Sequence, residues 1–242
     1  SRRYVPASNR AGVSQVSELG FIVLSPTSVG SSLPTPTLAI GAARAGASGI
    51  LDAENFSNAE NIAIAFNQLQ SHAAPGTIGI RCSVGETSVF AGLNVNPNRN
   101  SLAILTSGAA TFDKEQLSEA ITRSRKAFRQ VFVETIELAE ALLAESLGAD
   151  AVIAKGHESA GRVGDTTSFV LVQQFVRSLK IPTWVQGGIG LHSAAAMAVA
   201  GAQGVVLDSQ LYLCRDSEVS VDLKLRVEKM DGTETTVVRS AN

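Results

Sequence analysis

The chain has 242 residues, 45% hydrophobic and 17% charged, with a formal net charge of −2. That is ample apolar material for one large core, and the length matches a single α/β barrel. The near-neutral balance has no basic stripe and so argues against a nucleic-acid partner, and no apolar run reaches the roughly 18 residues of a membrane span.

Along the chain, short apolar runs alternate with helical patterns. Phe21 to Ser25 reads as a first strand, and residues 33–47 as an Ala- and Leu-rich helix. Gly49 to Glu54 is a second strand, followed by a helix over 59–73 with Ile62, Ala65, Phe66 and Leu69 at helical spacing. Thr77 to Cys82 is the third strand. Residues 83–100 are the least regular, with one short helix expected over 88–93 and turns around Pro97. Ser101 to Thr106 is the fourth strand, and residues 112–128 form a helix in which Asp113 stands as N-cap with Gln116 three residues on. Gln130 to Glu134 is the fifth strand, leading to an amphipathic helix closed by Gly148. Ala151 to Lys155, Pro182 to Gln186 and Gly204 to Asp208 complete the strands, with helices expected over 168–179 and 193–200 between them.

Eight strand-like runs therefore alternate with helices. They are continuously apolar, as strands are when helices cover the sheet. Strand–helix–strand units force parallel pairing through right-handed crossovers, and eight of them close a (β/α)8 barrel, here assigned to residues 21–214 after an N-terminal segment 1–20. A doubly wound open sheet is the rival and predicts the same alternation with fewer units. Beyond the barrel, residues 215–242 read as a C-terminal hairpin or linker. Val219, Val221, Leu223, Leu225 and Val227 alternate with polar residues, Asp231-Gly232 is a turn signal, and Thr235 to Val238 would return as the partner strand.

In such a barrel the working face lies at the C-terminal strand ends. Standing there are Ser25, Glu54, Arg81, Thr106 or Ser107, Glu134, Lys155, Gln186 and Asp208. Two acid–base pairings fall on neighbouring strands, Glu54 with Arg81 and Glu134 with Lys155, and structural ion pairs compete with catalytic ones as their explanation. After the seventh strand, Gly187 and Gly188 offer backbone N–H groups beside a helix N-terminus, an anion site to which Ser209 would add a second contact. The loop 156–164 carries three glycines, Gly161 among them, with His157 as a candidate acid or base and Arg162 as a planar cation. Lys155 is also placed where a Schiff-base lyase or aldolase would use a lysine. Cys82 and Cys214 lie far apart, outside any Cys/His cluster, so no metal site is expected, and two free thiols fit a cytoplasmic protein.

Lys155 to Gly164, Ile181-Pro182 through Ile189, and Gly201 to Leu207 together resemble the nitronate monooxygenase group, which includes the FMN-dependent enoyl-acyl-carrier-protein reductases. The resemblance runs from about Glu134 to Leu213, and the loop is similar to versions found as domains of large polyketide and fatty-acid synthases. A chain beginning at Ser1 agrees with excision from such a protein. The resemblance implies FMN with its phosphate on Gly187, Gly188 and Ser209, further contacts from Gln186 and Gly161, and NAD(P)H as co-substrate. It implies an acyl-carrier-protein-bound or small-molecule substrate near Glu54, Arg81 and His157, with Lys155, Glu134 and Arg162 at the chemistry. This chain departs from the group in several places. Arg162 stands where the group carries a histidine, and an arginine cannot serve as a base. Asp208 replaces a glycine, and its carboxylate repels a phosphate there unless it turns away. Ser25 to Ser28 replace a glycine-rich turn, and the enoyl reductases' second substrate-covering segment has no counterpart. The alternatives to a flavin reductase are a non-catalytic barrel kept as a structural or docking module, and the lysine lyase.

Overall fold

The computed structural model describes residues 18–26, 33–73, 75–231 and 233–239. Eight parallel strands close into a barrel in chain order: β1 (Gly20–Leu24), β2 (Ser48–Asp52), β3 (Ile78–Ser83), β4 (Ser101–Thr106), β5 (Gln130–Thr135), β6 (Ala151–Lys155), β7 (Thr183–Gln186) and β8 (Gly204–Leu207). The closing pair is β1 on β8, with Phe21 opposite Val205, so the (β/α)8 barrel holds and the open sheet does not.

The helices are α1 (Thr37–Arg44), α2 (Ala59–His72), α3 (Lys114–Ser124), α4 (Leu138–Ser146), α5 (Ser168–Ser178), α6 (Leu191–Val199) and α7 (Val221–Val227). Their ends follow local chemistry. Asp113 caps α3 by accepting from Gln116 N–H at 2.9 Å, and Gly148 beyond α4 takes a φ of +88°, a conformation costly to residues with a Cβ. Between β3 and β4 a 3-10 segment, Val84–Gly92, replaces an α-helix and buries Val84, Val89 and Phe90. Phe90 meets Phe128 edge-on at 5.1 Å.

Two apolar layers result. One lies between the strands and the helices, with Phe66, Leu105, Leu117, Val133 and Phe175 among its members. The other fills the barrel itself: Ile22, Ile50, Leu102, Ile104, Phe132, Ile153 and Val206, joined by Trp184. The Trp184 ring lies where side chains on Gly20 and Gly204 would stand, so those two positions take glycine. Above this apolar interior, the strands' C-terminal ends open into a polar cleft.

The tail corrects an expectation. Val221–Val227 is a helix, not a strand, and the described residues from 233 to 239 contain no returning strand; Gly232 of the expected turn lies outside the described residues. Ser220 Oγ caps α7 by accepting from Leu223 N–H, and Lys224 Nζ donates to the carbonyls of Cys214 and Ser217 at 3.0 and 2.7 Å. A lone hairpin has no comparable support, so capping and tethering override the alternating pattern.

Candidate functional site

The strand register aims charged side chains into the barrel mouth. Asp52 and Arg81 are paired across β2 and β3, Glu134 comes from β5, Lys155 from the end of β6, and Glu54 lies two residues beyond Asp52. The Arg81 guanidinium joins them. Its NH1 group donates to Asp52 Oδ1 at 3.1 Å and Glu54 Oε2 at 2.6 Å, while Nε and NH2 hold Glu134 at 2.9 and 3.1 Å. Lys155 Nζ donates to Glu134 Oε1 at 2.8 Å, and Thr106 Oγ1 to Glu54 Oε1 at 2.6 Å. The two expected pairs, Glu54–Arg81 and Glu134–Lys155, thus exist and are fused through Arg81–Glu134.

Arg81, Glu134 and Lys155 are 4%, 6% and 1% exposed. Burial opposes ionisation of Glu134, but Arg81 and Lys155 outweigh it and hold its carboxyl at about 2. Burial pushes Asp52 above the ordinary carboxylate value, with Arg81 pulling the other way. Burial also disfavours the Arg81 cation, but Glu134 and Asp52 more than reverse this and keep it charged.

Above this floor lies a cleft of about 580 Å³ including its mouth. Its walls are Ser25 and Pro26 after β1, Asp52, Glu54 and Asn55 at β2, Ala160 and Gly161 after β6, Gln186, and Asp208, Ser209 and Tyr212 after β8. Burial, Asp52 and Asp208 all raise the Tyr212 phenol above its ordinary pKa.

On the β7–β8 side, Gln186 Nε2 donates to Asp208 Oδ2 at 2.7 Å, while Gln186 Oε1 is buried without a partner. Asp208 Oδ1 accepts from Ser209 N–H at 2.6 Å. Gly187 and Gly188 have φ of +110° and +61°, which suits glycine. A Cβ on Gly187 would come within 2.6 Å of Ser159 Oγ and 3.1 Å of Glu158 Cγ. The Glu158 carboxylate also accepts from the N–H and Oγ of Ser168 at the start of α5.

Of the residues expected at the site, Glu54, Arg81, Gly161, Gln186 and Ser209 line the cleft, and Glu134 and Lys155 lie in the buried network. Gly187 and Gly188 do not line the cleft, and a Cβ on either would meet Glu158. His157 is exposed, with Nδ1 3.4 Å from Glu158 Oε2. Arg162 is absent from the lining. Its NH2 and NH1 groups clamp the buried Glu140 of α4 at 2.6 and 3.2 Å, which holds the guanidinium to the barrel's side. Asp52 and Tyr212 were not expected. Asp52 had a signal, because it shares a strand face with Glu54 at period two; Tyr212 had none.

The phosphate position of flavin mononucleotide can be tested on these residues. The Ser209 N–H that a phosphate would need is taken by Asp208, and the Glu158 carboxylate lies against the Gly187–Gly188 turn. A carboxylate already seated on an expected phosphate donor opposes a dianion, so Asp208 and Ser209 do not fit the group there. The unpaired Gln186 Oε1 asks instead for a hydrogen-bond donor. Among the described residues no cluster of three or more His, Cys, Asp or Glu is arranged to hold a metal ion, and no helix is long and apolar enough to cross a membrane.

Residues 96–242 match the family model for nitronate monooxygenase. A curated relative is (3aS,4S,5R,7aS)-5-hydroxy-7a-methyl-1-oxo-octahydro-1H-indene-4-carboxyl-CoA dehydrogenase from Rhodococcus jostii, 29% identical over 211 residues, which cover 86% of this chain. The chain spans only 57% of that relative's length. Among solved structures, FabK from Thermotoga maritima superposes with a TM-score of 0.72 at 24% identity, covering 89% of this chain and 66% of that one. Nitroalkane oxidase from Streptomyces ansochromogenes gives 0.65 at 21%, covering 84% and 69%. At these identities the structural likeness establishes the fold.

Proposed function

The chain belongs to the nitronate monooxygenase family of flavin-type oxidoreductases, and from that premise we propose that it is a barrel domain of a larger synthase whose cleft has lost the flavin-phosphate position and serves binding rather than redox chemistry. The Asp208 carboxylate seated on Ser209 N–H carries this reading. Like charges 4 Å apart repel by about 4 kcal/mol at an effective dielectric of 20, which the remaining backbone donors would have to overcome for each charge of a phosphate. Arg162, where the family resemblance places a histidine, is always charged and is tied to Glu140. Lys155 gives no support to a Schiff-base lyase, since its ammonium is buried against Glu134. The synthase setting and an acyl-carrier or neighbouring-domain partner belong to the proposal through the resemblance of the 156–164 loop, and a cytoplasmic setting through the free thiols Cys82 and Cys214.

Flavin-dependent reduction of an acyl thioester, fed by NAD(P)H, is the alternative. It is favoured by the family and by a relative named for a carboxyl-CoA substrate, and it requires Asp208 to leave Ser209. When bound, FMN would supply the hydride chemistry.

The absorbance spectrum of the purified protein, before and after adding FMN, separates the two. No retained flavin bands and no saturable FMN binding is the expected outcome. Flavin bands that stay with the protein and bleach with NADPH would establish the reductase.

A further inference from the structure

We infer that the barrel mouth is a binding site for a small organic cation bearing several N–H donors, of the alkylammonium or guanidinium class. The inference rests on the reading that the cleft takes no phosphate.

Charge provides the first observation. Asp52, Glu54 and Glu134 converge on Arg81, Lys155 adds one more cation, and Asp208 reaches the same cleft through Gln186. Four carboxylates thus face two cations. Both cations already donate to carboxylates inside the network, so neither is left to offset Asp208. A surplus of buried or half-buried negative charge is costly unless a counter-ion enters.

Hydrogen bonding provides the second, independent observation. Gln186 is 2% exposed and lines the cleft, and its Oε1 has no donor. An unsatisfied buried carbonyl oxygen in a native fold calls for a partner. Its amide is fixed in place because Nε2 is held by Asp208 Oδ2 at 2.7 Å, so Oε1 cannot exchange places with the nitrogen without setting oxygen against carboxylate.

The two observations specify the same ligand. It brings positive charge to the carboxylates and an N–H to Gln186 Oε1. A forked, planar cation suits an acceptor pair such as Asp208 and Gln186, and the small walls at Ala160 and Gly161 leave it room. A metal ion would satisfy the charge, but no ligand cluster for one exists among the described residues.

Titration calorimetry of the full chain at low salt tests the site, with agmatine as probe and tetramethylammonium, inorganic phosphate and FMN as comparisons. Agmatine should bind saturably at one site, and tetramethylammonium, a cation without N–H donors, at least about tenfold more weakly. Asp208→Asn and Gln186→Leu, each checked for its fold by circular dichroism, should each weaken agmatine by about tenfold or more. No agmatine binding, equal binding of tetramethylammonium, or binding unchanged in both variants would overturn the inference. FMN binding to the unaltered chain would instead overturn the reading beneath it, whereas a chain that ignores both FMN and agmatine leaves that reading standing and removes only the cation site.

Discussion

The two sides of the barrel mouth solve the problem of buried polarity in opposite ways. On the β2–β6 side every charge has a partner: Arg81 uses Nε, NH1 and NH2 on three carboxylates, and Lys155 completes Glu134. On the β7–β8 side satisfaction is incomplete, with Gln186 Oε1 unpaired and Asp208 holding a backbone N–H that a phosphate would otherwise use. On the β2–β6 side Ser107 Oγ after β4 and Ser159 Oγ after β6 are also buried without a partner, but the charges are saturated, and a saturated charge network chiefly determines one arrangement of the strands. An unsaturated one is where a ligand gains most. The difference assigns architecture to one side and recognition to the other, and it can be broken experimentally.

The largest expected effect is at the saturated side. Arg81→Met leaves Asp52, Glu54 and Glu134 without their common cation, and breaking a buried pair in this way costs about 3–5 kcal/mol. Urea denaturation should register that loss. A loss under about 1 kcal/mol would show that the network is solvated and that the two sides do not differ.

The pH dependence comes next. Glu134 has its folded-state carboxyl at about 2, below the ordinary value. Its contribution is therefore fully present above the unfolded pKa and is lost as pH falls through about 2, on the order of 3 kcal/mol in all. Asp52 acts in the opposite sense. Its pKa is raised, so ionising it costs stability as pH rises through that value. Stability should therefore peak at weakly acidic pH and fall steeply below it, and Glu134→Gln should flatten the acid limb. An acid limb unchanged in that variant would count against the assignment.

Arg162→Ala should cost less than Arg81→Met, about 2–3 kcal/mol, because it breaks one largely buried pair, with Glu140, where Arg81 joins three carboxylates. It should leave agmatine binding in the cleft unaltered. A loss of ligand binding in this variant would return Arg162 to the site.

Much of this was legible in the sequence, and the exceptions have physical causes. β4 and β6 occupy the expected residues because each is a fully buried apolar run with sharp polar boundaries. α1 is shorter than expected, Thr37–Arg44 instead of 33–47, because Pro34 and Pro36 delay helix entry. The pairs Glu54–Arg81 and Glu134–Lys155 could be read because adjacent strands carry them. The Arg81–Glu134 bond could not, since it passes over β4 inside the mouth, a relation set by barrel closure and side-chain reach. Arg162 looked like a cleft residue from its loop. Its direction depends on Glu140, a helix residue that no strand-end pattern would mark.

The smallest effect on stability is the most informative about function. Asp208 is half-buried at a strand end, and its bonds go to Ser209 N–H and Gln186 Nε2. Asp208→Gly frees the exposed Ser209 N–H to solvent but leaves the buried Gln186 Nε2 without its acceptor, so stability should fall by about 1–2 kcal/mol. The same change frees the Ser209 N–H and removes the carboxylate seated on it. If the carboxylate alone blocks the family's cofactor, the variant should gain FMN binding detectable as flavin fluorescence quenching, while agmatine binding falls. If neither chain binds FMN, the block also includes Glu158 over the Gly187–Gly188 turn, and Glu158→Ala added to Asp208→Gly becomes the informative variant. Retention of FMN by the unaltered chain would place recognition of the phosphate on this side after all, with Asp208 displaced on binding.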